Sequence, residues 1–215
     1  MIEIKRCPST LQEGFETYNP KALKTMFGGK KVSHILDFNI EEFRSGTSLE
    51  EAMHRISVSG VQEKFPAVID NGKIRLSLDK ERSTYMLKPA PWDQTLAERK
   101  QIPANEHLTM QIAAQVYGIQ TAANALCFTP KGQMVYITKR FDILPDGAKL
   151  PMEDIASVVG RNEQTDGIHF KYSGCYENIA LAIRRHVAAW MVDMERFFEP
   201  VSYTHLRAHE TTLHL

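Results

Sequence analysis

The sequence predicts an α+β fold in which an antiparallel sheet with one helix is followed by a set of helices. Strand-like runs flank Asp70-Asn71-Gly72, and an Asn-Gly pair between such runs is the strongest short-range hairpin signal. After Asp142 the apolar residues recur at helical rather than strand spacing. With 215 residues, 43% of them hydrophobic, the chain is long enough to bury one or two ordinary cores.

The N-terminal segment, residues 1–55, is predicted to form short elements. A helix is expected to begin at Asn19-Pro20, because Asn is a good N-cap and Pro suits the first helical position. Gly28-Gly29 is placed to end that helix. Further short helices are expected from Asn39 and from Ser48. Whether this segment packs on the sheet or forms a surface for a partner stays open.

The next part of the chain, residues 56–140, carries the predicted sheet. Strands are expected at 65–69, 73–78, 84–87, 125–128 and 134–139. One helix lies among them. It is expected to be capped by Asn105 and to end at Gly118, with four apolar residues on one face: Leu108, Ile112, Ala113 and Val116.

Residues 141–200 are predicted to be a connecting hinge followed by helices at 152–158, 176–186 and 192–198. Apolar side chains such as Ile179, Ile183, Val187 and Trp190 are expected to face partners that this chain does not supply. From Ser202 the composition changes, and three of the eight histidines fall in the last eleven residues. The string resembles translated sequencing adapter, so 201–215 is predicted to be a non-native tail. The other interpretation is a metal site at His205, His209 and Glu210.

The charge and cysteine content exclude several classes of protein. Lys plus Arg and Asp plus Glu are equal at 26 each, so there is no general basic field for direct nucleic-acid binding. The three cysteines are far apart and form no C-x-x-C pair, which predicts neither a zinc site nor a disulfide framework. No apolar run approaches the roughly 18 residues of a membrane span. A cytoplasmic location away from any membrane is therefore expected.

A set of residues in the predicted sheet region has the order that nucleotide binding by a kinase amino-lobe requires. The segment 56–64 is a loop with small residues whose N–H groups could approach phosphate. Lys88 ends a strand, and Glu106 follows on the next helix, where a Lys–Glu ion pair would be expected. The strand 134–139 then leads into a hinge in which Phe141 could pack near adenine. The alternatives are a surface turn for the loop, a capping role for Glu106 and a surface ion pair with Lys88.

These residues resemble the HipA-like kinases of bacterial toxin–antitoxin systems. The resemblance lies in four segments covering roughly residues 56–160: 57–64, 86–89, 105–106, and 139–142 with 150–154. The short region before the loop looks more like the HipT branch. The resemblance implies a Ser/Thr kinase with ATP and Mg²⁺ as cofactors, and autophosphorylation at Ser57 and Ser59. It implies nucleotide-binding roles for Ser59, Gly60, Gln62, Lys64, Lys88, Glu106, Lys139 and Phe141.

The same resemblance implies partners. They are HipB-like and HipS-like antitoxin proteins, DNA only through a HipB-like partner, and a protein substrate such as an aminoacyl-tRNA synthetase. The catalytic-loop Asp and Asn and the second metal-binding Asp have no counterpart in these 215 residues. We therefore expect the parent protein to be a kinase and this chain to be an inactive, C-terminally truncated fragment. The alternative is a non-catalytic module that binds nucleotide or an antitoxin.

Overall fold

The computed structural model describes residues 3–41, 63–78, 80–167, 170 and 175–212, with side chains described through residue 203. The chain forms two compact units, Met1–Ile143 and Leu144–Leu215. The predicted loop 56–62 and the helix predicted from Ser48 lie outside the described residues. The finer domain boundaries predicted from the sequence, at residues 55, 140 and 200, stay predictions.

The first unit is built around a five-stranded antiparallel sheet in the order β2-β1-β3-β5-β4. Its strands are β1 (Phe65–Asp70), β2 (Lys73–Leu76), β3 (Tyr85–Pro89), β4 (Asn124–Phe128) and β5 (Met134–Lys139). The predicted hairpin is confirmed, since Asp70 pairs with Lys73 across a two-residue turn. Asn71 and Gly72 both have positive φ, 47° and 75°, as a type I′ turn requires.

The N-terminal segment covers one face of this sheet. Its helix α1 (Pro20–Phe27) begins as predicted, with Asn19 Oδ1 accepting from the Ala22 N–H at 2.8 Å. The core that it forms with alternate residues of the strands includes Cys7, Tyr18, Ala22, Met26, Phe27, Val32, Leu36 and Ile40. Because side chains alternate along a strand, only one face of the sheet contributes to this core. The described part of the segment is thus structural, as it covers the sheet.

The same segment also protects the outer edge of β4. The Leu126 N–H donates to the Pro8 carbonyl oxygen, and the Phe128 N–H donates to the His34 carbonyl oxygen, both at 2.8 Å. An open sheet edge exposes unpaired backbone groups that favour association with other chains. The N-terminal segment therefore satisfies backbone groups that β4 cannot pair within the sheet.

Helix α2 (Ile102–Gln115) contacts β4 and β5, and follows a 3₁₀ turn at Arg99–Gln101. It begins three residues before the predicted cap Asn105, because Pro103 is accommodated in its first turn. The predicted apolar face is only partly right, since Ala113 is buried and Ile112 is half-buried. Leu108 and Val116 are 48% and 71% exposed, while the buried positions are Pro103, His107 and Ala113.

The second unit is helical, as predicted. It contains α3 (Ile155–Val158), α4 (Glu163–Asp166), α5 (Tyr176–His186) and α6 (Trp190–Thr212). Helices α5 and α6 pack together, with the Tyr176 and Phe197 ring centroids 6.3 Å apart. The residues expected to present an apolar surface are partly buried, whereas Leu181, Met191 and Val192 are 59%, 69% and 51% exposed. Helix α6 continues through Pro200 into the predicted tail, whose foreign origin stays a prediction.

None of the helices in the described part of the chain is long and apolar enough to cross a membrane. The three cysteines are all free, Cys7 and Cys127 buried and Cys175 exposed. No Cys-based cross-link therefore contributes to either unit.

Candidate nucleotide-binding site

The centre of the site is an ion pair between the sheet and helix α2. Lys88 on β3 donates from Nζ to Glu106 Oε1 at 2.5 Å, over a separation of 18 residues. The two side chains are only 23% and 21% exposed, so this is not a surface pair. Since α2 begins at Ile102, Glu106 lies in its second turn rather than the first. The capping interpretation of Glu106 is therefore wrong.

Tyr136 forms the floor beneath this pair. It lies directly opposite Lys88 in the β3–β5 pairing, and the Lys88 Nζ is 5.2 Å from the centre of its ring. The ring is 1% exposed. Burial, together with the nearby charge of Glu106, raises the pKa of the Tyr136 phenol well above its ordinary value of 10.0. Tyr136 is therefore a neutral aromatic surface that holds the ammonium from below by a cation–π contact.

The chain leaves the sheet through a hinge fixed by a buried ion pair. Arg140 donates to Asp142 from Nε at 2.9 Å and from Nη2 at 2.5 Å, and to Ser83 Oγ from Nη1 at 2.8 Å. The Asp142 side chain is 4% exposed. The Asp142 carboxylate raises the pKa of the Arg140 guanidinium above its ordinary value. These hydrogen bonds therefore hold the Arg140 side chain against Ser83 and Asp142 of the first unit.

The structure brings only some of the predicted binding residues together. Lys88 and Glu106 meet. Phe141 lies between the two ion-paired hinge residues and is 74% exposed, which leaves its ring accessible to a ligand. Lys139 is exposed at the end of β5, and by strand alternation it belongs to the face of Val135 and Ile137 rather than that of Tyr136.

The remaining predicted residues belong to the loop. Ser57, Ser59, Gly60 and Gln62 lie outside the described residues, so their nucleotide-binding and autophosphorylation roles stay predictions. Lys64 is described, half-buried, one residue before β1. The loop therefore leads directly into the strand beside β3, on which Lys88 lies.

The donor chemistry at this site fits a nucleotide phosphate. The Lys88 ammonium has three N–H donors, of which Glu106 accepts from one. Because the ammonium is still partly exposed, another donor can bond a phosphate oxygen. Across the described stretches, no group of three or more His, Cys, Asp or Glu is placed to hold a metal ion. The predicted Mg²⁺ ligands are therefore not assigned to this part of the chain.

An antiparallel sheet whose strand lysine is held by a glutamate of the packed helix, followed by a hinge, is the arrangement of a protein-kinase amino-lobe. Residues 56–210 match the family described as the HipA-like C-terminal domain. The match covers nearly three quarters of the chain and includes residues 201–210. The chain belongs to the HipA-like C-terminal domain family.

Among solved structures, the chain is similar to one described as the Shewanella oneidensis MR-1 toxin–antitoxin system HipA, HipB and its operator DNA complex. The sequences are 19% identical, and the TM-score is 0.38. The similarity covers 57% of this chain and 28% of that chain, so the present chain spans less than a third of that protein's length. No curated protein matches the chain.

Two contributions to this site were missed in the sequence. Tyr136 was one of several apolar residues in a buried strand, and nothing local marked it as the partner of Lys88. Arg140 and Asp142 could have been found, since opposite charges two residues apart at a strand exit can meet when the residue between them points outward.

Proposed function

We propose that this chain is the nucleotide-binding part of a HipA-type toxin kinase, of the short HipT branch. The single observation that carries the proposal is the largely buried ion pair of Lys88 and Glu106 on a kinase-like sheet. Such a pair fixes the ammonium where the phosphates of ATP would lie, and it is a requirement of the active arrangement in protein kinases.

The residues have distinct roles in this proposal. Lys88 binds and orients the phosphates, and Glu106 holds Lys88 in place. The loop residues Ser59, Gly60, Gln62 and Lys64 close over the phosphates, and Phe141 packs against the adenine. Lys139, on the opposite face of the sheet, has no role in this arrangement. Bound Mg²⁺ would neutralise phosphate charge.

The complete protein, in our proposal, phosphorylates a serine of a translation component of the aminoacyl-tRNA synthetase class. HipB-like and HipS-like antitoxins are its partners, and DNA is contacted only through the HipB-like protein. Phosphorylation of Ser57 and Ser59 would place about −1.5 to −2 charges each on the loop, where they would repel the phosphates of ATP. The proposed location is the cytoplasm.

Thermal unfolding with ATP tests the nucleotide-binding part. A ligand at about 100 times its Kd stabilises a protein by about 2.7 kcal/mol, which raises the Tm by several degrees for a chain of this size. We expect this shift for the wild type, and its loss in Lys88→Met. Lys73→Met is the matched control, because Lys73 also lies on the sheet but forms an exposed pair with Asp37 at 3.4 Å. Equal shifts in all three proteins would contradict the proposal.

A second candidate, a non-catalytic binding module, rests on the same Lys88–Glu106 pair, because binding the phosphates of a nucleotide does not require the catalytic Asp and Asn. Both candidates predict no phosphoryl transfer by the purified chain, so the source gene decides between them. An Asp-x-His-x-x-Asn loop and a further metal-binding Asp encoded beyond Pro200 would support the kinase. An authentic stop codon at that point would leave the binding module. Kinase activity of the chain that depends on Lys88 would contradict its predicted inactivity.

A further inference from the structure

A buried polar cluster lies beneath helix α2, formed by His107, Gln111 and Asn124. His107 is 1% exposed, and its Nδ1 lies 2.8 Å from Asn124 Oδ1. Gln111, one helical turn further on, donates from Nε2 to the same Oδ1 at 3.0 Å. Asn124 is the first residue of β4 and is 4% exposed. Two side chains of one helix therefore converge on a single acceptor of the sheet.

The hydrogen bonds determine which way each group points. Asn124 Nδ2 donates to the Ala122 carbonyl oxygen at 2.8 Å, which fixes the orientation of the amide. Asn124 Oδ1 must then accept, so His107 Nδ1 carries the hydrogen and donates. Burial lowers the pKa of His107 to about 4, only partly offset by the bond to Asn124 and by a contact with the Ser9 backbone. At neutral pH the ring is therefore an uncharged, directional donor and not a second cation beside Glu106.

The cluster matters because few residues of α2 are fully buried against the sheet. The buried residues of this helix are Pro103, His107 and Ala113, which offer a small apolar contact. Interdigitated apolar side chains normally set how a helix sits on a sheet. Here the helix is held at two successive residues instead, Glu106 by β3 and His107 by β4. Those strands lie on either side of β5, so the two contacts together define the rotation and the axial position of the helix.

We infer that His107 is a positioning residue for the Lys88–Glu106 ion pair. Its bond to Asn124 holds α2 in the register at which the Glu106 carboxylate reaches the Lys88 ammonium. Without that bond, the polar contacts left to α2 come from longer, more flexible side chains: Glu106 to Lys88, Gln111 to Asn124, and Gln115 to the Thr10 carbonyl oxygen. His107 itself touches no ligand. The inference deepens the proposed function and rests on it only where ATP binding is the measured quantity.

Three substitutions of His107 in the full chain test this assignment. In His107→Asn the amide nitrogen replaces Nδ1 and can still donate to Asn124, whereas in His107→Gln the amide lies one bond further out. His107→Ala removes the donor and leaves the buried Asn124 acceptor with fewer partners. We expect His107→Ala and His107→Gln to weaken ATP binding about tenfold, and His107→Asn to restore it to within about threefold of wild type. The affinity is measured by calorimetry below the Tm of every variant.

A double-mutant cycle separates positioning from general stability. In a Glu106→Gln background the pair is already broken, so His107→Ala should weaken ATP binding by less than about twofold more. It should still lower the Tm in that background. Equal ATP affinity of wild type and His107→Ala, or an unchanged tenfold loss in the Glu106→Gln background, would overturn the inference.

A measurement without nucleotide keeps the inference distinct from the proposed function. An ordered Lys88 ammonium gives a ¹⁵Nζ NMR signal, assigned by its loss in Lys88→Met. We expect the signal in wild type and His107→Asn and its disappearance in His107→Gln. If wild type fails to bind ATP but this pattern is seen, the proposed function fails and the positioning role holds. If the signal persists in His107→Gln, the positioning role fails.

Discussion

The Arg140–Asp142 pair offers the sharpest test of how the first unit is held together. In Asp142→Asn the carboxylate is replaced by a neutral group of the same shape. The Arg140 side chain, 21% exposed, then keeps its charge without a counter-ion. Removing one partner of a buried ion pair is strongly destabilising because the remaining charge is uncompensated, and about 3 kcal/mol is expected. For a chain of this length, that corresponds to a Tm lowered by about 6–12 °C.

A second bidentate pair in the same unit provides the matched control. Arg75 donates to Glu81 from Nη1 at 2.7 Å and from Nη2 at 2.9 Å, and it also bonds Asp70 at 3.0 Å. Its geometry resembles that of the hinge pair, but its side chains are about a third exposed, 32% for Arg75 and 30% for Glu81. Because solvent screens this pair and Arg75 keeps Asp70 as a counter-ion, Glu81→Gln is expected to cost clearly less than Asp142→Asn.

Equilibrium unfolding in urea measures both losses. The chain has two tryptophans, one in each unit, so a Trp190→Phe background leaves Trp92 as the reporter of the first unit. The urea midpoints of the two variants and of the background protein are compared, provided that the dependence of the unfolding free energy on urea concentration is the same in all three. Losses of the same size for the two variants, or a loss below about 1 kcal/mol for Asp142→Asn, would refute the argument that burial makes the hinge pair important.

Two further predictions concern stability. The pKa of His107 is lowered from 6.5 to about 4 in the folded protein. Between these pH values the unfolded chain therefore takes up a proton that the folded protein does not. The free energy of unfolding is unaffected by this group above pH 6.5 and is lowered by about 3 kcal/mol at pH 4. Urea midpoints at pH 7 and pH 4 should show a smaller acid loss in His107→Asn, and an equal loss would contradict the assignment. Gly72→Ala should cost about 1–2 kcal/mol, because φ is 75° and the new Cβ would lie 3.0 Å from the Lys31 carbonyl oxygen. Gly118→Ala, with φ of 70° and open space around the Cβ, should cost less. Urea unfolding measures both losses, and an equal loss of free energy of unfolding would show that crowding at Gly72 is unimportant.

The sequence by itself determined the features that depend on local chemistry. The hairpin followed from Asn71-Gly72, since few residue pairs adopt positive φ twice. Helix α1 followed from the Asn19 cap, and α5 was predicted with its observed bounds, Tyr176–His186. Lys88 and Glu106 were paired in the prediction because their order and spacing match the strand lysine and helix glutamate of a kinase amino-lobe. The turn and cap signals act over a few residues, so they depend little on which strands lie nearby.

Only the tertiary structure decided which face each element buries. Apolar periodicity identifies the buried side of a helix when that side is apolar, and α2 instead buries His107 against Asn124 while exposing Leu108. The burial of Tyr136 beneath Lys88 depends on the register between β3 and β5, which pairs residues 48 positions apart and has no local signal. The covering of the sheet by the N-terminal segment is likewise a long-range contact. The pairing of buried polar groups across such distances depends on the whole fold. For this reason Lys88 and Glu106 could be predicted from the sequence, whereas Tyr136 and His107 could not.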